Sequence, residues 1–84
     1  MAKRELDQSI QTADEFRQSV EGGLTEKQRS AIESAYASGY YDWPRAITAE
    51  ELSNSMGISS STLHQHLRKG IYTLLSTYFE EERA

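Results

Sequence analysis

Gln65 and Arg68 stand three residues apart, and each carries a planar group with two hydrogen-bonding atoms on one edge. A carboxamide can bond adenine bidentately, and a guanidinium can do the same for guanine. Ser60, Ser61 and His64 lie just upstream, and short or compact donor-acceptors suit close approach to a base edge. On a wheel of about 100° per residue, Leu63, Leu67, Ile71, Leu74 and Tyr78 fall on one side. Ser61, Gln65, Arg68 and Lys69 fall roughly opposite, with Ser60 and His64 beside them. The pattern separates a core-facing stripe from a polar face that could read base pairs. Ser59, Thr62 and Lys69, with Arg45 and Thr48 upstream, suit phosphate oxygens instead. Other chemistries fit poorly. His64 and His66 are two apart, so on a helix they face different ways and cannot chelate one ion. Without cysteine or a well-spaced carboxylate, no metal site is expected. No nucleophile-base constellation and no glycine-rich phosphate loop emerges, so neither catalysis nor a cofactor is expected.

The elements that must position these side chains are written in 48–69, TAEELSNSMGISSSTLHQHLRK. Thr48 can cap a first helix, and Glu51 can return to the Thr48 backbone N–H, closing a capping box. Leu52 and Met56 share one face. Gly57 falls where the chain must reverse, because glycine accepts a positive φ. Ile58 follows the turn, Ser59 can cap a second helix, and Leu63 and Leu67 supply its buried face. Ser53 is small and falls where the two helices would cross. This is the layout of a helix-turn-helix, whose second helix enters the major groove of duplex DNA.

Around that unit the periodicity predicts more helix. Residues 3–20 form an amphipathic stretch with Leu6, Ile10, Ala13, Phe16 and Val20 at spacings of three and four, ended by Gly22 and Gly23. Thr25 and Gln28 predict a second capped helix with Ile32, Ala35 and Tyr36 inward and Gly39 as its stop. The connector Tyr40-Tyr41-Asp42-Trp43-Pro44-Arg45 is aromatic, and its rings are expected to plug the core, Trp43 included. A ligand pocket lined by Trp43 is the alternative. Past Lys69 the apolar pattern continues, so the last helix should run from Ser60 to about Phe79, with Gly70 inside it or breaking it. The expected class is all-α, with no strand and no room for a β wing. Residues 1–23 form an N-terminal helix for packing or dimerisation, and 24–84 form the helix-turn-helix domain.

Eighty-four residues without cysteine make one small domain with a modest core. No apolar run spans a bilayer, so a cytoplasmic protein with no membrane partner is expected. The net charge of −4 opposes binding to phosphate, but its distribution matters. Residues 25–70 carry five acids and five bases, and the excess acid lies in the two ends. Three lysines against thirteen acids lean toward a salt-loving host. Leu6, Ile10 and Ala13, with Ile71, Leu75, Tyr78 and Phe79, exceed what one small domain covers, which points to a homodimer through the terminal helices.

The stretches Leu24-Thr25-Glu26-Lys27-Gln28, Ala35-Tyr36-Ala37-Ser38-Gly39-Tyr40-Tyr41-Asp42-Trp43-Pro44-Arg45, Thr48-Ala49-Glu50-Glu51-Leu52, Gly57-Ile58-Ser59-Ser60-Ser61-Thr62-Leu63 and His66-Leu67-Arg68 resemble the bacterio-opsin-activator-type helix-turn-helix domain. The likeness covers about residues 24–75, and GYYDWPR is its most specific part. The resemblance implies a haloarchaeal transcription regulator. It also implies a four-helix module similar to the DNA-binding domains of LuxR-type regulators and sigma-factor region four. Family members often carry sensor domains ahead of this domain. These 84 residues contain none, so the chain reads as a stand-alone regulator or a fragment. After Arg68 the family continues with a small residue and then charged ones, whereas this chain has Gly70-Ile71-Tyr72-Thr73, which suggests an interface. The reading is a duplex-DNA-binding transcription regulator, acting as a homodimer. Its rival is an interaction module in which the same scaffold docks a partner regulator or the transcription machinery. A third reading is a small-molecule sensor built on Trp43.

Overall fold

The structure, a computed structural model, describes residues 12–83 and the side chains of 12–80. Four helices follow in order: α1 (Ala13–Gly23), α2 (Glu26–Ser38), α3 (Ala49–Met56) and α4 (Ser60–Arg83). No strand occurs among the described residues.

Each of the first three helices starts with the same local device. Thr12, Thr25 and Thr48 sit in extended backbone, and each hydroxyl accepts the N–H three residues on, from Glu15, Gln28 and Glu51. Those side chains accept the cap N–H in return, at 3.1, 3.2 and 3.0 Å. Two donors that a helix start leaves unpaired are thereby satisfied at each end. Thr12 also corrects the expected helix over 3–20. The cap's extended conformation (φ −68°, ψ 162°) separates α1 from whatever precedes it, so one continuous helix does not cross this point. Leu6 and Ile10 lie outside the described residues. The helix ends at Gly23, as the glycine pair indicated.

The core gathers Ala31 and Ala35 of α2, Tyr40, Leu52 of α3, and Leu63 and Leu67 of α4. Ala31, Ala35 and Leu63 have no exposed surface, so α2 lies directly against α4. Tyr36 was expected inward but is 75% exposed. The buried stripe of α2 runs instead through Ala31 and Ala35, four apart, with Ile32 packed at its edge. The small alanines let the helices approach, and Tyr36 then points off the stripe. Gly70 is a point of close approach. A Cβ there would collide with Ile32 Cδ1 and lie 3.1 Å from Ile32 Cγ1. Gly70 is therefore inside α4, buried and unbroken, and the chain from Ser60 to Arg83 is one rod of 24 residues. Val20 of α1 is buried, and a Cβ on Gly23 would stand 2.9 Å from Thr73 Cγ2. The start of the chain's described part thus packs on α4, within the same body.

The connector between α2 and α3 closes on one carbonyl. Gly39, at φ 89°, ends α2, and its oxygen accepts the N–H groups of both Asp42 and Ala46, at 3.1 and 3.0 Å. Tyr40 is buried by this closure. Trp43 is not: it is 95% exposed, which overturns the expectation of a buried core plug. A loop pinned at both ends to Gly39 can turn one ring inward beside its anchor. Trp43, midway round, is carried farthest from the core.

Candidate nucleic-acid interface

The turn between α3 and α4 takes the anticipated form. Gly57 adopts φ 73°, and its N–H donates to Asn54. Ile58 N–H donates to the Ser53 carbonyl at 3.1 Å. Ser53 is buried at the crossing, its hydroxyl turned back onto the Glu50 carbonyl at 3.0 Å. The Ser59 hydroxyl then accepts the Thr62 N–H at 3.1 Å and starts α4. These bonds tie both sides of the reversal together and set the direction in which α4 leaves the turn.

With Leu63 and Leu67 buried, the 3.6-residue repeat turns Ser61, His64, Gln65 and Arg68 to solvent. These four line one shallow cleft, whose opposite wall is Tyr40, Tyr41 and Arg45 of the connector. Ser60 differs: it is half-buried and lines neither of the clefts beside α4. The Arg45 guanidinium is held, with Nε donating to the Tyr40 carbonyl at 2.9 Å and Cζ lying 4.1 Å over the Tyr40 ring. Burial, reinforced by Tyr40, pushes the Tyr41 phenol above its ordinary value, and Arg45 opposes the shift. Tyr41 therefore stays a neutral phenol near neutral pH.

The proposed phosphate residues are spread around this face. Thr48 spends its hydroxyl on the α3 cap, and the Ser59 hydroxyl donates to Thr62 at 3.0 Å. Lys69 lies on the far flank of α4, in a second cleft with Lys27, Gln28 and His66. Gln65 borders both clefts and forms the ridge between them. Lys27 was not singled out from the sequence, because nothing local ties the start of α2 to α4.

The cations divide by position. Arg17 pairs with Asp14, and Arg29 reaches Glu21, Glu26 and Glu33. Lys27, Arg45, Arg68 and Lys69 form no ion pair with any described residue. Those four surround the ridge, so among the described residues the unpaired positive charge is concentrated at α4's exposed face. His64 and His66 stand on opposite flanks, and no group of three metal-ligating side chains occurs among the described residues.

The more C-terminal part of the rod has a different surface. Tyr72, Leu75, Tyr78 and Phe79 are each about half exposed or more, at 68, 51, 48 and 50%. Tyr78 and Phe79 meet edge to face at 5.0 Å. Ile71 is half-buried, and Ala13 of α1 is exposed. Tyr72, the most exposed of these α4 rings, was missed because the wheel placed it among polar neighbours.

The model of the HTH DNA binding domain family matches residues 24–76, which include α2, α3, the turn and most of α4. The chain belongs to that family. It is thus an all-α DNA-binding domain of the helix-turn-helix kind. It is also similar to haloarchaeal proteins. A Haloferax volcanii protein provisionally named as a transcriptional regulator is 49% identical over 81 residues, covering 96% of this chain and 14% of the relative. The bacterioopsin transcriptional activator of Halobacterium salinarum is 41% identical over 75 residues, 89% of this chain and 11% of the relative. The dimethyl sulfoxide reductase transcriptional activator of the same organism is 40% identical over 58 residues, 69% of this chain and 26% of the relative. The chain therefore spans a small part of these relatives. No solved structure matches it. No helix among the described residues is long and apolar enough to cross a membrane.

Proposed function

We propose that the chain binds duplex DNA sequence-specifically and regulates transcription, reading the major groove with the N-terminal half of α4. The observation that carries this reading is the exposed set Ser61, His64, Gln65 and Arg68 on one face of a helix held behind a hydrogen-bonded turn. Gln65 and Arg68 read base edges; Ser61 and His64 make the closer contacts, and Ser60 contributes from the helix start. Arg45, Thr48, Ser59, Thr62 and Lys69 bond phosphates, Thr48 with the hydroxyl hydrogen its cap leaves and Ser59 through its backbone N–H at the helix start. The haloarchaeal regulators similar to this chain support the assignment to transcription.

The domain acts as a homodimer. Support comes from the exposed apolar residues Leu75, Tyr78 and Phe79 beside half-buried Ile71, which a two-fold contact would cover in both copies at once. Ile71 and Leu75 also line the cleft that holds Gln65 and Arg68, so the contact has to leave the end of that cleft nearer the turn open for DNA. The test is electrophoretic shift with genomic fragments at high KCl, followed by selection from a randomised duplex pool. Recovery of a recurrent sequence supports the reading. Failure to shift any duplex, with capture of a partner regulator or RNA polymerase subunit instead, would favour an interaction module.

A further inference from the structure

We infer that Lys27, at the start of α2, together with Lys69, forms a second phosphate seat, so that the domain grips both strands bordering the groove it reads. The inference rests on the DNA-reading role of α4. An α-helix with side chains is about 10–12 Å across, and the major groove of B-DNA is about 12 Å wide. A helix that enters it therefore has one sugar-phosphate strand on each flank. The exposed side of α4 is built to that plan. Gln65 is a ridge with a cleft on either side. One cleft holds Arg45 and Arg68, and the other holds Lys27 and Lys69.

The two flanks are alike in a second respect. None of their four cations is neutralised by a described acid. Glu26 also lines the Lys27 cleft, but its carboxylate lies 3.7 Å from the Arg29 guanidinium. Thr25 and Gln28 give acceptor oxygens to the α2 capping box and keep their neutral side-chain donors, while the lysines supply the cleft's positive charge. His66, half-buried, also lines this cleft. The tight α2–α4 packing at Gly70 fixes the distance from Lys27 to the ridge. The helices that carry this seat are thus packed on each other, whereas Arg45 is carried by the connector.

Each phosphate contact contributes about 0.9 to the slope of log affinity against log salt. The full 84-residue chain would be titrated with a duplex recovered by selection and with a scrambled duplex of equal length, across a range of KCl. Lys27→Gln and Lys69→Gln should each lower the slope by about one and weaken both duplexes by the same factor. Arg17→Gln, a cation engaged on α1, should leave the slope unchanged. The inference is overturned if Lys27→Gln keeps the wild-type slope in a normally folded protein. It is overturned equally if Arg17→Gln lowers the slope as much, because net charge would then be the cause. Wild-type protein that binds neither duplex would instead remove the DNA-reading role on which this rests.

Discussion

In the proposed function Gln65 and Arg68 contact the bases, and neither carries the fold. Both are exposed, and neither side chain has a hydrogen bond within the described structure that its loss would break. Gln65→Ala and Arg68→Ala should each weaken binding to the selected sequence by about 1–3 kcal/mol, relaxing preference at one base pair without lowering the melting temperature. Titrations on the selected duplex and on its single-base variants check this. Trp43 calls for the reverse of what its residue type suggests. A buried tryptophan replaced by alanine costs about 3–5 kcal/mol. At 95% exposure, Trp43→Ala should change stability by no more than about 0.5 kcal/mol. A urea melt decides between the two, and the intrinsic fluorescence should already report a water-exposed indole. Large destabilisation would mean that the ring turns inward in solution.

At the scale of elements, the helix starts are local and the helix contacts are not. Thr48→Ala removes the acceptor for the Glu51 N–H and should cost about 1 kcal/mol. Because α3 is only eight residues long, that loss should also blunt DNA binding by loosening the turn that aims α4. Gly70 tests the packing. A glycine inside a helix costs about 1 kcal/mol relative to alanine, so alanine should help if only propensity mattered. The Ile32 contact reverses the sign: Gly70→Ala should destabilise, since overpacking costs about 1–3 kcal/mol. Ile32→Val deletes the colliding Cδ1. The double variant should therefore be more stable than the sum of the single changes, by about 0.5 kcal/mol or more. Chemical denaturation of the four proteins in this cycle measures the coupling. Additive effects would show that α2 and α4 are not in close contact at this point.

For the whole molecule, the question is how a chain of charge −4 approaches a polyanion. The acids of the described part are partly consumed by Arg17 and Arg29, and Glu80, Glu81 and Glu82 lie at the end of the rod remote from the turn. At about 1 M salt the screening length is near 3 Å, so distant carboxylates no longer act on the phosphates while touching cations still do. High salt also preserves apolar association. Light scattering in concentrated KCl should accordingly give a dimer mass, and Leu75→Glu should give a monomer that binds one half-site weakly. A dimer would set two reading helices about 34 Å apart, one turn of DNA, so the selected sequence should be a palindrome. A monomer mass for the wild-type chain at micromolar concentration removes this assembly.

What these residues determine by themselves is whatever is decided within four positions of the chain. The threonine caps at Thr25 and Thr48, the glycine turns at Gly39 and Gly57, the serine start of α4 and the Leu63–Leu67 stripe are all of this kind. Each rests on one hydrogen bond or one turn of helix, and each can be read without knowing what lies across the core. The Thr12 cap was equally local, carried by Thr12 and Glu15, and was obscured by an apolar repeat that runs through it. The exposed face of α4 followed from its buried one. Tertiary structure decided the rest. Which ring of the connector is buried depends on a loop closing on the Gly39 carbonyl. That position 70 has no room for a Cβ depends on Ile32, 38 positions away. That Lys27 stands beside Gln65 depends on two helices meeting through alanines and a glycine. Such placements come from packing between distant segments, and no spacing along the chain encodes them.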